Sequence, residues 1–484
     1  MGEILLNSVL LWKYKNIVKQ SLSDKTKQEL SLTCLFGAFV FLQFTVLGLA
    51  NHAGEGYLTT GQRDRVYYTL QVFVILGYLL YSLFFRFCTG KRSRNVISYA
   101  VFGIFLACII LMSAARFASL HYVIVSMAAA LCLGALGGAA HLRMSRATLT
   151  NVRVARCMGL GSATAVVLQY LLQIRWGITL LLSVFMLAAF FLFVFLLLQT
   201  VPKSITEDDR KPEKTPPARI VFSAVITAAF ILFACFYNEY IHHLQIQSDY
   251  EVYNVYSWPR LMLVPVYLLF AAVGDRKNGK YVPLASLCIM LIALLNVVLI
   301  GSSEAYWLNM CLFYCAIAAF TSYYLLVFWR LAPGTKQPAF WAPFGRMLDS
   351  AMVLVTGAIG LGRLPSAVIL GVDIGGVALV ILLMALGGDL NLSAAEALPA
   401  PEAPPTLSPE EALTRMRKRY DLTPREAEVL RELVLTEDKQ TVISERLNIQ
   451  VKTLQDYVTR LYRKTGAATR AGLTDLYHEN RRQT

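Results

Sequence analysis

The sequence predicts an all-α protein in two parts, a twelve-helix transmembrane bundle made of two six-helix halves and a small C-terminal helical domain. Three observations predict it. Apolar runs long enough to cross a bilayer, which takes roughly 20 residues of helix, recur throughout residues 31–388. Basic residues crowd every second loop between those runs. Near residue 389 the chain turns polar, passes through a stretch rich in Ala, Pro and acid, and resumes with the spacing of amphipathic helices.

Composition sets the class. Of 484 residues 56% are hydrophobic and only 16% charged, which argues against a soluble enzyme, a disordered chain, a collagen or a disulfide scaffold. In hydrocarbon only helices or closed barrels satisfy their backbone. The formal charge of +14 lies wholly in the first 388 residues, because residues 389–484 hold 15 basic and 15 acidic side chains. Within that tail, 389–411 carries five acids and no base.

Taken in order, residues 1–30 read as an amphipathic cytoplasmic segment. Basic residues follow its short apolar stretch and no small-residue cleavage site is visible, so it is not read as a signal peptide. Spans are expected near 31–50, 66–85, 96–114, 119–140, 157–174, 176–200, 220–241, 260–273, 282–300, 306–329, 347–362 and 365–387. The eighth is the weakest, short and broken by Pro265. With the N-terminus inside, the inner segments carry 24 Lys and Arg and the outer segments six, the asymmetry of cytoplasmic loops. Both termini are therefore expected on the cytoplasmic side. The loop at 203–219, charged and Pro-rich, divides the spans six and six.

That arrangement resembles the major facilitator superfamily of transporters, whose fold pairs two related halves around a central cavity. The loop AAVGDRKNGK (271–280) is similar to that family's basic loop, with Asp275 and Arg276 in place and Gly279 shifted by one, while its counterpart in the first half keeps Gly90, Lys91 and Arg92 without the Asp.

Polar groups inside a span are costly and mark candidate sites. Gln43, Asn238, Glu239, Asn309, Tyr314 and Asp373 are the candidate ligand residues, joined by Gln169, Gln173, Asn296 and Asp349 as further intramembrane polar groups. Asn238 and Glu239 lie in the aromatic stretch FYNEY (236–240), which either lines a pocket or sits in the headgroups. Asp373 is read either as half of a buried pair or as functional, and Asp349 as interfacial beside Arg346. Gly134 with Gly138, and Gly371 with Gly375, have the spacing that lets helices approach closely. The nine cysteines read as small buried hydrophobes, and His242 and His243 as surface histidines. No catalytic, metal or cofactor motif is visible; the chain is expected to be neither an enzyme nor a cofactor protein.

Residues 389–411 read as a semi-stiff tether, and 412–484 as a domain. Thr423, Pro424 and Glu426 have the N-cap, first-turn and capping-box positions of a helix whose inner face is Val429, Leu430 and Leu433. A second helix near 439–447 presents Val442, Ile443 and Leu447. A third, 451–466, buries Val451, Leu454, Val458 and Leu461 and ends at Gly466. Two helices joined by a tight turn, the second polar and basic on its free face, form a helix-turn-helix suited to the major groove.

Through LTPREAEVL, ISERLNI, VKTL and RKTGAATRAGL, residues 422–479 closely resemble the LuxR-type DNA-binding domain of bacterial transcriptional regulators. The resemblance implies four helices, and double-stranded DNA as partner. By motif position, Gln455, Asp456 and Thr459 should face base edges, and Lys452, Thr453, Tyr457, Arg460 and Lys464 should meet phosphates. The last helix, with Leu473, Leu476 and Tyr477, should be available for homodimer contacts. Gln455 and Tyr457 stand where the family commonly has a basic residue and a histidine, and Glu437 and Asp438 replace its Gly-containing turn. The whole reads as a one-component regulator in the bacterial cytoplasmic membrane, whose bundle senses a small-molecule ligand, with an active transporter bearing an appended regulatory domain as the alternative.

Overall fold

The computed structural model describes residues 2–52, 58–88, 90–114, 120–150, 152–176, 180–199, 214–247, 257–300, 306–360, 364–386, 408–436, 438, 440–467 and 469–481. It is helical with no strand among them and divides into two units, 1–395 and 396–484. The loop 200–213, most of the expected tether, Glu437, and the side chains of Gln173, His242 and His243 lie outside the described residues.

In the first unit, ten helices among the described residues are long and apolar enough to cross a membrane. They are α1 (Gly2–His52), α2 (Thr60–Phe87), α3 (Lys91–Ala114), α4 (Leu120–Ala147), α5 (Val154–Trp176), α6 (Leu180–Gln199), α7 (Pro217–Gln247), α9 (Val282–Ile300), α10 (Tyr306–Leu331) and α13 (Ser366–Leu386). The expected eighth and eleventh spans are shorter. One is α8 (Leu263–Val273), preceded by a 3₁₀ turn at Trp258–Met262 where Pro259 supplies no N–H. The other is α12 (Phe344–Ile359), set off from the short α11 (Pro338–Trp341) and ended by Gly360 at φ 69°. The segment expected over 1–30 is the first half of α1 rather than a separate element.

Glycine decides the closest packing. A Cβ on Gly77 of α2 would lie 2.1 Å from the Leu131 carbonyl oxygen of α4, and one on Gly134 would lie 2.2 Å from the Val74 carbonyl oxygen, so the two backbones touch as small-residue faces allow. Gly134 thus packs as expected. Gly371 and Gly375 do not, since nothing stands within 4 Å of either; spacing along one helix says nothing of whether a partner faces it. Outward faces carry exposed Leu80, Phe191 and Leu299, side chains suited to lipid. The loop resembling the transporter family closes a junction: Asp275 accepts from the Ala155 and Arg156 amides at 3.0 and 2.9 Å, placing a carboxylate at the positive end of α5.

The second unit holds α14 (Pro409–Arg419), α15 (Pro424–Leu435), α16 (Gln440–Arg446), α17 (Val451–Thr465) and α18 (Arg470–Arg481). Four helices were expected, and α14 is the fifth. Ser408 caps it and Glu411 answers the Ser408 amide, the same capping box that opens α15 at Thr423 and Glu426. The expected tether therefore ends before 408, and the domain begins ahead of 412. Ala412, Leu413 and Met416 join Val429, Leu430, Leu433, Ile443, Leu454, Val458, Leu461, Leu473 and Tyr477 in one core.

Candidate nucleic-acid interface and intramembrane cavity

Local chemistry sets the angle between α16 and α17. Asn448 takes the left-handed conformation at φ 53°, which Asn tolerates better than most residues, and the Leu447 and Ile449 amides close the turn onto the Ile443 and Ser444 carbonyls. Arg425 donates to the Leu447 carbonyl at 2.7 Å, tying α15 to the turn. Arg446 pairs with Glu432 and Asp438. Arg470 donates to the carbonyls of Leu433, Thr436 and Asp438, meeting the free acceptors that the end of α15 leaves. Arg446 and Arg470 thus hold the segment where the family pattern has glycine.

α17 then presents Lys452, Thr453, Gln455, Asp456, Thr459 and Arg460 as exposed side chains on one face. Thr459 donates back to the Gln455 carbonyl, and the Arg460 guanidinium stands 5.6 Å from the Tyr457 ring centroid. Tyr457 itself is half-buried against the core. The face offers amide, carboxylate and hydroxyl groups for base edges, flanked by two cations for phosphates.

Within the membrane unit, six helices converge on one cavity. Its lining includes Phe36, Phe39, Gln43 and Phe44 from α1, His141 from α4, Ser162 from α5, Tyr267 from α8, Thr321 and Leu325 from α10, and Arg346 from α12. His141 is fully buried and its Nδ1 accepts from the Trp329 indole N–H at 2.9 Å. Arg346 donates to the Tyr324 hydroxyl at 2.6 Å and to Asp349 at 2.8 Å. A second polar cluster joins α7, α9 and α10, where Asn309 accepts from Asn296 at 2.8 Å and from the Tyr237 hydroxyl at 3.1 Å. Asp373 on α13 is buried at 2% exposure, and its Oδ1 has no hydrogen-bond partner among the described residues.

Residues 421–477 match the family described as bacterial regulatory proteins, luxR family. They form a luxR-type helix-turn-helix domain. No curated protein matches the chain. Among solved structures, the human organic anion transporter MFSD10 (TETRAN) is similar, with a TM-score of 0.47 and 14% identity over 74% of this chain and 98% of that one.

In the luxR-type domain the three residues expected at base edges share the exposed face of α17, as do Lys452, Thr453 and Arg460. Lys464 does not belong with them. Its ammonium donates to the Glu426 carboxylate at 2.8 Å and to the Asp421 carbonyl at 2.9 Å, and a cation already paired with a buried carboxylate is a poor phosphate ligand. Burial pushes the Glu426 carboxyl up, but the Lys464 ammonium and the Thr423 cap outweigh it and hold it below the usual glutamate range. Leu473 and Tyr477 are also not free for a partner subunit, being 0% and 2% exposed, with Leu476 packed beside them; α14 packs on α18 and shares their core. Val442 and Val451, expected inside, are exposed at 42% and 37%.

Of the six intramembrane candidates only Gln43 reaches the cavity. Asn309 belongs to the second cluster, Tyr314 is buried, Asp373 stands apart on α13, and Asn238 and Glu239 are half-buried. Sequence reasoning missed His141 and Arg346. His141 falls one residue past the expected end of the fourth span, yet α4 continues to Ala147 with Arg143 and Arg146 aboard. Arg143 donates to the Leu197 carbonyl, and Arg146 stands over the Phe85 ring, so both long side chains find partners near the helix end.

Proposed function

We propose that this protein is a membrane-bound one-component transcription regulator: its bundle senses a small-molecule ligand in the bacterial cytoplasmic membrane and its luxR-type domain binds DNA on the cytoplasmic side. It acts by binding and not by catalysis. The observation that carries this reading is a luxR-type domain with a polar recognition face, in one chain with ten apolar membrane-length helices among its described residues. The excess of Lys and Arg in alternate loops supports both termini inside. A ligand that prefers one conformation of the bundle shifts its population and thereby alters the domain's access to DNA or to a second copy. Genome-wide DNA capture with the full-length protein and with Gln455→Ala tests it: the wild type enriches a common sequence, and the variant loses or changes it. Equal, featureless capture by both rejects the regulator.

Active transport is a second reading, favoured by the buried Asp373 carboxylate with its unpaired oxygen. It calls for ligand-dependent flux in proteoliposomes that Asp373→Asn abolishes.

A further inference from the structure

We propose that α14, which lies outside the matched residues 421–477, extends the DNA interface: Arg415, Arg417 and Lys418 meet backbone phosphates beside the sequence that α17 reads. The proposal rests on the DNA-binding reading above and adds a contact outside the four helices expected of the family.

The domain's cations divide by what they already hold. Arg425 is paired with Glu428, Arg431 with Glu410, Arg446 with Glu432 and Asp438, and Lys464 with Glu426. Arg470 serves three carbonyls. By contrast Arg415, Arg417, Lys418, Lys452 and Arg463 are exposed, and none makes an ion pair or a side-chain hydrogen bond among the described residues. Lys452 and Arg463 stand on α17, on one stripe with Asp456 and Thr459 at spacings of 4, 3 and 4. The other three stand in the last turns of α14, within the run RMRKR (415–419).

That run is more than a helix end needs. α14 turns Ala412, Leu413 and Met416 into the core, which leaves Arg415, Arg417 and Lys418 outside. A helix C-terminus favours a cation, and Arg419 is one, donating to Asn480 at 3.1 Å. The acids of α14 lie at its other end and are taken up there, Glu410 by Arg431 and Glu411 by the Ser408 cap. Arg415 and Lys418 are neighbours at i and i+3, so their like charges repel, and an anion between them relieves the repulsion.

The same cations end beside the recognition helix. Asp421 takes φ 47°, the Leu422 amide folds back to donate to the Arg417 carbonyl, and the Asp421 carbonyl accepts from Lys464 Nζ at 2.9 Å. Lys464 follows Arg463 directly, so the last turns of α14 and α17 lie close together. α17 has 15 residues, hence a length of about 22 Å, against a major groove about 12 Å wide. A helix that sets its first turns on base edges brings its last turn out to the phosphate row, and the end of α14 comes with it.

The test uses full-length protein in an uncharged detergent and a duplex of about 30 base pairs bearing the sequence that the wild type selects from a random pool, with affinity measured over a range of salt concentrations. Arg417→Gln combined with Lys418→Gln should lower the slope of log K against log salt by about 2 and weaken binding about ten-fold at low salt. The selected sequence and the unfolding midpoint should stay as in the wild type. Arg417→Lys, which keeps the charge, should keep the slope. Arg431→Gln removes an equal charge from a cation already paired, and it should leave the slope unchanged. The proposal is overturned if the double variant keeps the wild-type slope, or if Arg431→Gln lowers the slope as much as Lys418→Gln does. It is overturned in favour of a lipid contact if the double variant matches the wild type in detergent yet binds the duplex more tightly than the wild type in phosphatidylglycerol nanodiscs. A wild type that selects no sequence removes the regulator reading and this contact with it, whereas selection with an unchanged slope removes the contact alone.

Discussion

Lys464 is committed to a carboxylate that is 3% exposed, and that decides what replacing it does. Lys464→Met strands the Glu426 charge in the core and should cost roughly 2–4 kcal/mol of domain stability, measured by urea unfolding of residues 408–484. It should barely change the salt dependence of DNA binding. Lys452→Ala and Arg460→Ala should do the reverse, each lowering the slope of log K against log salt by about 1 with little loss of stability. The same pair sets an acid limit. Because the folded-state Glu426 carboxyl lies below its unfolded value, its stabilisation is fully present above the ordinary glutamate range and is lost as the pH falls through the folded value. A Glu426→Gln domain should therefore lose less stability than the wild type between neutral pH and pH 3, as thermal melts across that range would show.

At the scale of elements, α14 and the α2–α4 pair carry the sharpest consequences. α14 places Met416 and Ala412 at 0% exposure in the core that α18 shares. Met416→Ala should cost about 2–4 kcal/mol. Starting the domain at residue 421 should both lower its urea midpoint and, by uncovering Leu473 and Tyr477, raise self-association in sedimentation; a shortened domain as stable and as monomeric as 408–484 would show that α14 is only a spacer. In the membrane unit, Gly77→Val places side-chain atoms where the Leu131 carbonyl stands. The helices must part, and the yield of monodisperse protein in detergent should fall well below that of Gly103→Val, whose site is open.

For the whole molecule, much of the architecture was legible because its signals are local. Among the described residues ten helices are apolar over a membrane's length, and Thr423, Pro424 and Glu426 announce a helix start within four residues. Ser408 and Glu411 announce another in the same way, but their Pro-rich surroundings read as tether. The exposure of Gln455, Asp456 and Thr459 was legible too, since one amphipathic helix fixes which face is free. Legibility failed where the answer depended on a distant partner. Lys464 looked like a phosphate ligand until Glu426, 38 residues away, took its charge, and Leu473 and Tyr477 looked free until the core they share with the other helices of the domain, α14 among them, buried them.

The sequence by itself determined an all-α chain, its membrane-length helices, the asymmetry of their loops and the helix-turn-helix at its end, because hydrophobic period, capping and loop charge act between residues that are near in the chain. Only the tertiary structure decided that His141, Gln43 and Arg346 meet around one cavity, with Trp329 bonded to His141, while Asp373 stands outside it. Trp329 and His141 are 188 residues apart, and whether a buried donor finds its acceptor depends on how helices pack, a relation that no spacing along a single helix contains.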